Sequence, residues 1–309
     1  MKYIALIPLI LAITACQKQT DTKNSEEPIQ VDHVISVNIT YDRPIAHKVE
    51  AITAVPNNEA PWLSSLFIID EKKQLLRGKL ESGDFKLIAT NIEDITPLAR
   101  KNTAGVIIAL TSDNVLTGFK EINDEGDYED IAFVKTPQKI NGFCKTKNLM
   151  EQRIYGFDTN NSYALDIINT NENPNIKFLE IETPTATTDP CLLKISGDAI
   201  DLVQTPKNIL SASLLEPDTL IFTTHESRNR PRLFMQKGDE TMAIDITGGL
   251  STEAPSQIDS FTIVHNNLGG VLRNGAVMIT DNASERVIYI SLDLLNRRIS
   301  DATVLLPQK

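Results

Sequence analysis

Acidic residues recur at the ends of short apolar runs in this 309-residue chain. The runs LFIID, VIIALTSD, RIYGFD, LIFTTHE and VMITD end at intervals of 43, 45, 68 and 55 residues, at Asp70, Asp113, Asp158, Glu226 and Asp281. Carboxylate oxygens are the ligands that Ca²⁺ prefers, and the ion takes about 6–8 of them. Five acids at one mouth of a fold would attract cations. An Asp at a strand end can also simply hydrogen-bond its own turn.

Basic residues form a second candidate group. The segment Arg228-Asn229-Arg230-Pro231-Arg232 is the densest cationic turn in a chain whose net charge is −11. Such side chains could bind an anion beside a metal ion, although scattered basic turn residues are usually solvated. The acidic balance repels phosphate backbones and predicts no nucleic-acid partner.

The apolar runs that would position these residues have the length and composition of strands. They are four to eight residues long, rich in Ile, Val, Leu, Phe and Thr, and separated by Asn, Asp, Gly and Ser. The first two intervals match the repeat of a four-stranded propeller blade. The sequence therefore predicts an all-β propeller with five blades, or six, and a pair of β-sandwiches is the alternative.

Several segments carry more specific expectations. The 68-residue interval predicts an insertion within 198–218 or a degraded extra blade, and Val31–Ile39 could supply a closing strand for the terminal blade. The run VIYISLDLL is expected to be a strand. Trp62, the one tryptophan, is expected in a blade core.

The N-terminus has the pattern of an export signal. Met1-Lys2 is a short positive region, an apolar stretch follows, and Ile13-Thr14-Ala15-Cys16 resembles a bacterial lipobox. This predicts a signal peptide over 1–15, a lipid anchor on Cys16, a flexible tether over 16–28 and a propeller over 29–309. Gln17 after the cysteine favours the outer membrane of a Gram-negative envelope by resemblance to known sorting rules. An ordinary secretory signal is the alternative.

Two cysteines remain after Cys16, namely Cys144 and Cys191. Export would place both in an oxidising compartment, where a disulfide between them can form. A pair of buried free thiols is the alternative. Two cysteines alone make no tetrahedral zinc site.

In order along the chain, several segments resemble the β-propeller phytases and their diverged relatives. LFIIDEKKQLLRGKL is similar to the family's strand–Asp-Lys-Lys-Gly-Gly–strand unit, INGFCKTKNLMEQRIYGFD to its Gly-Leu-Cys blade start, and GGLSTEAPSQIDSFTIV to a later blade start. The resemblance covers roughly Val49–Leu294. The family has six blades, whereas this chain stops after the equivalent of the fifth.

The resemblance implies calcium-dependent hydrolysis of phosphate monoesters of inositol hexakisphosphate, an activity of the 3-phytase type. It assigns catalytic roles to Asp70, Lys72, Asp94 and Glu226. It assigns calcium ligands to Glu59, Asp70, Asp94 and Glu226. Residues that would bind the anionic substrate are Lys73, Arg100, Arg228 and Arg230.

Other acidic positions of the family pattern are missing. The Arg-Tyr-Asp element becomes Leu98-Ala99-Arg100-Lys101, and the final Asp-Gly element has no counterpart. We therefore expect a lipid-anchored envelope protein whose propeller is a binding or accessory module for a phosphorylated or cation-bound ligand. An active calcium-dependent phytase and a structural envelope lipoprotein are the alternatives, so enzymatic activity stays open.

Overall fold

The computed structural model describes residues 29–57, 59–81, 84–98, 106–121, 128–135, 139–146, 153–158, 162–168, 175–181, 190–196, 199–206, 208–225 and 231–304. The chain divides into residues 1–30 and 31–309, and the second unit holds all the strands of the described residues. These strands coincide with the runs of β-branched and aromatic residues, which fit a pleated, half-buried surface.

Five sheets of four or five strands make the blades. Blade I is β3 (Val49–Val55), β4 (Ser65–Asp70), β5 (Leu75–Lys79) and β6 (Lys86–Ala89); blade II is β7 (Ile92–Leu98), β8 (Val106–Thr111), β9 (Val115–Glu121) and β10 (Tyr128–Lys135). Blade III is β11 (Gly142–Phe143), β13 (Arg153–Phe157), β14 (Ser162–Ile168) and β15 (Asn175–Ile181). Blade IV is β18 (Ile209–Glu216), β19 (Thr219–Thr224), β20 (Arg232–Lys237), β21 (Glu240–Thr247) and β1 (His33–Asn38). Blade V is β22 (Ser260–Val264), β23 (Ala276–Asp281), β24 (Arg286–Ser291) and β2 (Tyr41–Pro44).

The first strands of the five blades form a closed ring. β22 contacts β3, β3 contacts β7, and β7 contacts β11. The chain continues through Cys144 into β12 (Lys145–Thr146), which contacts β18, and β18 contacts β22. A ring of five inner strands is a five-bladed propeller, so the predicted all-β propeller is confirmed and the pair of sandwiches is not.

A sixth, smaller sheet lies in the long interval. It consists of β12, β16 (Leu192–Ser196) and β17 (Ala199–Leu202), with β12 parallel to β16. The extra chain is a short hairpin over 192–202 that pairs with the inner strand of blade III, so most of it lies before the predicted position of 198–218. It adds no further inner strand to the ring.

The N-terminal segment closes the propeller in two places. β1 is the outermost strand of blade IV, where it pairs in parallel with β21, and β2 is the outermost strand of blade V, antiparallel to β24. The expectation that Val31–Ile39 completes the terminal blade was wrong, because the following strand does so. Both additions cover sheet edges that would otherwise present unpaired backbone groups.

Side-chain contacts support this closure. The ring of Tyr41, on β2, stacks on Tyr289 with centroids 4.4 Å apart. The Tyr289 hydroxyl donates to the Leu80 carbonyl of blade I at 3.1 Å, and burial raises the pKa of this phenol. The Arg43 guanidinium, also on β2, donates to the Lys79 carbonyl. The last blade is thus joined to the first through the N-terminal strand.

Apolar burial lies between blades. Phe67 of blade I and Ile107 of blade II belong to one buried cluster, and Leu66 shares another with Tyr289 of blade V. Blade I thus buries one face against blade II and the other against blade V, so the core is divided among the blade interfaces.

Two local expectations were wrong. β24 ends at Ser291 and the helix α1 (Leu292–Val304) begins there, so VIYISLDLL is not one strand. Leu292 and Leu295 are buried against blades IV and V at helical spacing. Trp62 is 69% exposed in a short 3₁₀ turn between β3 and β4, because that connection lies beyond the ends of both strands. Among the described helices, none has the length and apolar character needed to cross a membrane.

Candidate functional site

Two cavities lie on the propeller axis. Residues from all five inner strands line both of them, and the cavities have volumes of about 370 Å³ and about 60 Å³. Along each inner strand, the residues of the wide cavity precede those of the narrow one. The residues that line both, and so form the layer between the two cavities, are Thr53, Thr96, Pro97, Cys144, Lys145 and Thr262.

The inner strands carry a repeated pentapeptide that the sequence-based interpretation missed. The segments VEAIT (49–53), IEDIT (92–96) and IDSFT (258–262) share an acid at the second position and Thr at the fifth. The corresponding segments INGFC (140–144) and ILSAS (209–213) keep the apolar first position. This pattern indicates which residues face the axis.

Glu50 and Glu93 occupy the second position of that pentapeptide and line the entrance of the wide cavity. Lys73 joins them, because its ammonium lies 2.8 Å from Glu50 and 3.2 Å from Glu93. The bond to Glu50 raises the pKa of Lys73 above its ordinary value. Lys73 has φ 58°, a left-handed conformation that is uncommon for lysine. The sequence singled out Lys73 as an anion-binding residue, and the structure places it between two carboxylates.

Asp94 lies at the entrance too, next to Glu93. Its Oδ2 accepts a hydrogen bond of 2.7 Å from the Phe143 amide, and its Oδ1 accepts one of 2.8 Å from the Ile95 amide. A Cβ at Gly142 would come within 2.8 Å of Oδ2, so the close approach of this carboxylate requires glycine there. Asp94 therefore connects the inner strand of blade II to that of blade III.

Lys145 lies across the floor of the wide cavity. Its ammonium donates to the carbonyl oxygens of Ala212 at 3.2 Å and Phe261 at 3.3 Å, on the inner strands of blades IV and V. The hydroxyl residues Thr53 and Thr262 flank it in the same layer and are buried. Lys145 is the one charged residue directly after the fifth position of the pentapeptide, a signal that could have identified it.

The structure gives Asp70 a defined local role. The residue is 2% exposed, and its Oδ1 accepts hydrogen bonds of 2.9 Å from both the Lys72 and Gln74 amides. Its Oδ2 lies 3.6 Å from His47 Nδ1. These contacts are those of an acid that closes its own turn, and Lys72 is exposed beside it.

Glu59, another proposed calcium ligand, does not lie near Asp70. Glu59 follows β3, whereas Asp70 pairs with Val49 at the start of that strand, so about 20 Å of strand separates them. Asp113 is exposed, and the Oδ2 of Asp281 accepts from the Ser256 amide at 2.9 Å. Within the described ranges, no three His, Cys, Asp or Glu side chains are grouped to hold a metal ion. Cys16, Arg100, Glu226, Arg228 and Arg230 lie outside the described residues.

A disulfide joins Cys144 to Cys191 beside the axis, with their Cα atoms 4.5 Å apart. Both residues are buried and both line the wide cavity. The bond connects the inner strand of blade III to the residue that precedes β16, so it fixes the small sheet to the cavity wall.

No protein-family model and no curated protein matches the chain. Solved structures that resemble it include the N-terminal domain of Nup159, with 12% identity and a TM-score of 0.31 over 80% of this chain and 66% of that one. For a complex of S. cerevisiae Dbp5 with Nup159, the identity is 14% and the TM-score 0.31, over 77% of this chain and 64% of that one. For BBS1N in complex with ARL6DN, the identity is 9% and the TM-score 0.35, over 81% of this chain and 67% of that one. The chain thus spans slightly less than two thirds of the first two structures. Similarities at this level carry no information on activity.

Proposed function

We propose that this propeller is a binding module of the bacterial cell envelope and that its ligand occupies the wide axial cavity. The observation that carries the proposal is the arrangement of charge in that cavity, with carboxylates at its entrance and the Lys145 ammonium at its floor. A concave site lined by apolar groups and a few convergent polar groups is the usual form of a small-molecule site.

The hydrogen bonds of the acids favour binding over calcium-dependent hydrolysis. Asp70 accepts two backbone amides of its own turn, and Asp94 accepts amides from two blades. Lys73 is bonded to both Glu50 and Glu93. Carboxylates with these partners have too few open oxygens to supply the roughly 6–8 ligands of Ca²⁺, whereas an ammonium group needs only one acceptor from each of them. A ligand that is phosphorylated, or accompanied by a cation, would place its anion near Lys145 and its positive charge near the entrance.

We expect protein that begins at Ile29 to release no phosphate from inositol hexakisphosphate above the protein-free blank, with or without millimolar Ca²⁺. We also expect Ca²⁺ to leave the thermal unfolding midpoint unchanged. Phosphate release and thermal scans of the same samples measure both. Calcium-dependent release that Asp94→Asn abolishes, in a variant that unfolds at the wild-type temperature, would instead establish the phytase alternative.

We also propose that Cys16 is acylated and holds the protein on the outer membrane of a Gram-negative cell, with Gln17–Pro28 as the tether. The support is the lipobox-like segment and the polar tract that follows it. Full-length protein should then incorporate labelled palmitate and sediment with outer membranes, and Cys16→Ala should lose both properties. Gln17→Asp is the matched variant, and it should stay acylated but move to the inner membrane. A Cys16→Ala protein that still sediments with membranes would refute the anchor.

A further inference from the structure

We propose that the ligand of the wide axial cavity is a small zwitterion, in which a primary ammonium group and an oxyanion, carboxylate or phosphate, are a few bonds apart. The inference rests on the proposed function, because it specifies the ligand of the same cavity. It follows from three features of that cavity: the order of its charges, their spacing and the nature of its walls.

The order of charges selects against ligands with one charge. Glu50, Glu93 and Asp94 line the entrance, and the Lys73 ammonium between the two glutamates offsets only one of their three charges. The entrance therefore stays negative and repels an incoming anion. A simple cation is attracted to the entrance but meets the Lys145 ammonium at the floor. A zwitterion satisfies both ends, since its ammonium faces the carboxylates and its oxyanion faces Lys145.

The floor has the donors that an oxyanion requires. Lys145 is a charged donor held in place by two carbonyl oxygens. The hydroxyl groups of Thr53, Thr96 and Thr262 come from three different blades and lie in the same layer. Charge-assisted and hydroxyl hydrogen bonds from several directions suit the two or three oxygens of a carboxylate or phosphate.

The spacing limits the length of the ligand. Thr53 is three positions after Glu50, and Thr96 is three positions after Glu93, which is about 10 Å along an extended strand. A hydrogen bond of about 3 Å at each end leaves about 4 Å between the two charges of the ligand. An α-amino acid and an amino-alcohol phosphate both have charges this close.

The walls favour a ligand with an apolar portion. Phe143, Phe157 and Phe261 line the wide cavity and are themselves buried. With a volume of about 370 Å³, the cavity holds a molecule of amino-acid size together with a few waters. The hydrocarbon part of such a ligand would contact the aromatic rings while its charged groups bind along the axis.

Isothermal titration calorimetry of protein that begins at Ile29, with two probes, tests the proposal. It also shows whether the oxyanion of the ligand is a carboxylate or a phosphate. The probes are L-leucine and O-phosphoethanolamine, and each is compared with analogues that lack one charge. For leucine these are its methyl ester and 4-methylpentanoate; for phosphoethanolamine they are ethanolamine and inorganic phosphate. We expect at least one zwitterion to bind at least about tenfold more tightly than both of its analogues.

Variants locate the binding in the cavity. Lys145→Met should weaken the zwitterion at least about tenfold and remove its advantage over the methyl ester or over ethanolamine. Lys48→Met is the control, because that side chain is 69% exposed. If Lys145→Met does not fold, the double variant Glu50→Gln, Glu93→Gln tests the same cavity. It should bind the zwitterion no more tightly than the analogue without an ammonium group, 4-methylpentanoate or inorganic phosphate.

Two results would refute the proposal that the ligand is a zwitterion. One is that neither probe binds, and the other is that an analogue with a single charge binds as tightly as its zwitterion. If inorganic phosphate alone then binds and requires Lys145, the proposed binding function stands and only the ligand class is wrong. If phosphate is released from inositol hexakisphosphate in a calcium-dependent manner, the proposed function itself is wrong.

Discussion

Arg286→Met is expected to lower the free energy of unfolding by about 3–5 kcal/mol, the usual cost of removing one partner from a buried ion pair. The Arg286 side chain is 11% exposed and the Asp281 side chain is fully buried, with Arg286 Nη2 3.2 Å from Asp281 Oδ2. The same guanidinium donates to Asp42 on β2 at 2.8 Å and to the Ala254 carbonyl at 2.8 Å. Methionine would leave the Asp281 carboxylate buried without its counter-charge and would remove the ion pair between Asp42 on β2 and blade V.

Chemical denaturation measures the effect, and Arg273→Met is the matched control. Arg273 lies 3.8 Å from Asp293, but the arginine side chain is 74% exposed, so solvent screens the pair and little change in stability is expected. Adding Asp281→Asn to Arg286→Met should recover part of the loss, because the uncompensated charge is then removed. Equal losses in the two arginine variants would contradict this account.

Removal of the disulfide has a comparably large expected effect. Replacing Cys144 and Cys191 together by alanine opens a loop with a sequence separation of 47 residues. The chain-entropy relation for a loop of that size gives a loss of about 4 kcal/mol. The thermal midpoint of the double variant should fall well below that of the oxidised wild type.

Reduced wild-type protein is the comparison that isolates the bond. It should unfold near the temperature of the double variant, since both lack the cross-link and differ only in two small buried side chains. If reduction leaves the midpoint where it was, the cross-link does not constrain the unfolded chain as proposed. The single variants are less informative, because each leaves a reactive thiol.

The architecture was largely predictable because its determinants are local. The intervals between Asp70, Asp113 and Asp158 follow from blades of similar length. The polar turns at these residues mark the ends of β4, β8 and β13, which are the second strands of blades I, II and III. The long interval before Glu226 correctly indicated extra chain, which forms the hairpin of β16 and β17. The helix at Leu292 was missed because its apolar residues continue directly from those of β24.

The candidate site was predictable only in part. Asp94 was chosen from the resemblance to the phytase family alone, and Asp70 also from its place at a strand end. Asp94 and its neighbour Glu93 do lie at the entrance of the axial cavity. Lys145 was missed, since its one signal, the place directly after the fifth position of the pentapeptide, is visible only when the five inner strands are aligned with one another. Its position at the floor depends on β11 and β12 occupying the inner place of blade III.

Most strands, their grouping into blades and the turns that buried acids close could be predicted from the amino-acid sequence, because these features depend on residues close together in the chain. Three features became visible only in the folded chain: the inner strands close into a ring of five, β1 and β2 cover different blades, and Glu50, Glu93 and Lys145 share one cavity. The cavity combines side chains that are about 40 to 210 residues apart, such as Glu50, Glu93 and Phe261. Their proximity follows from ring closure and inter-blade packing, to which no local periodicity responds.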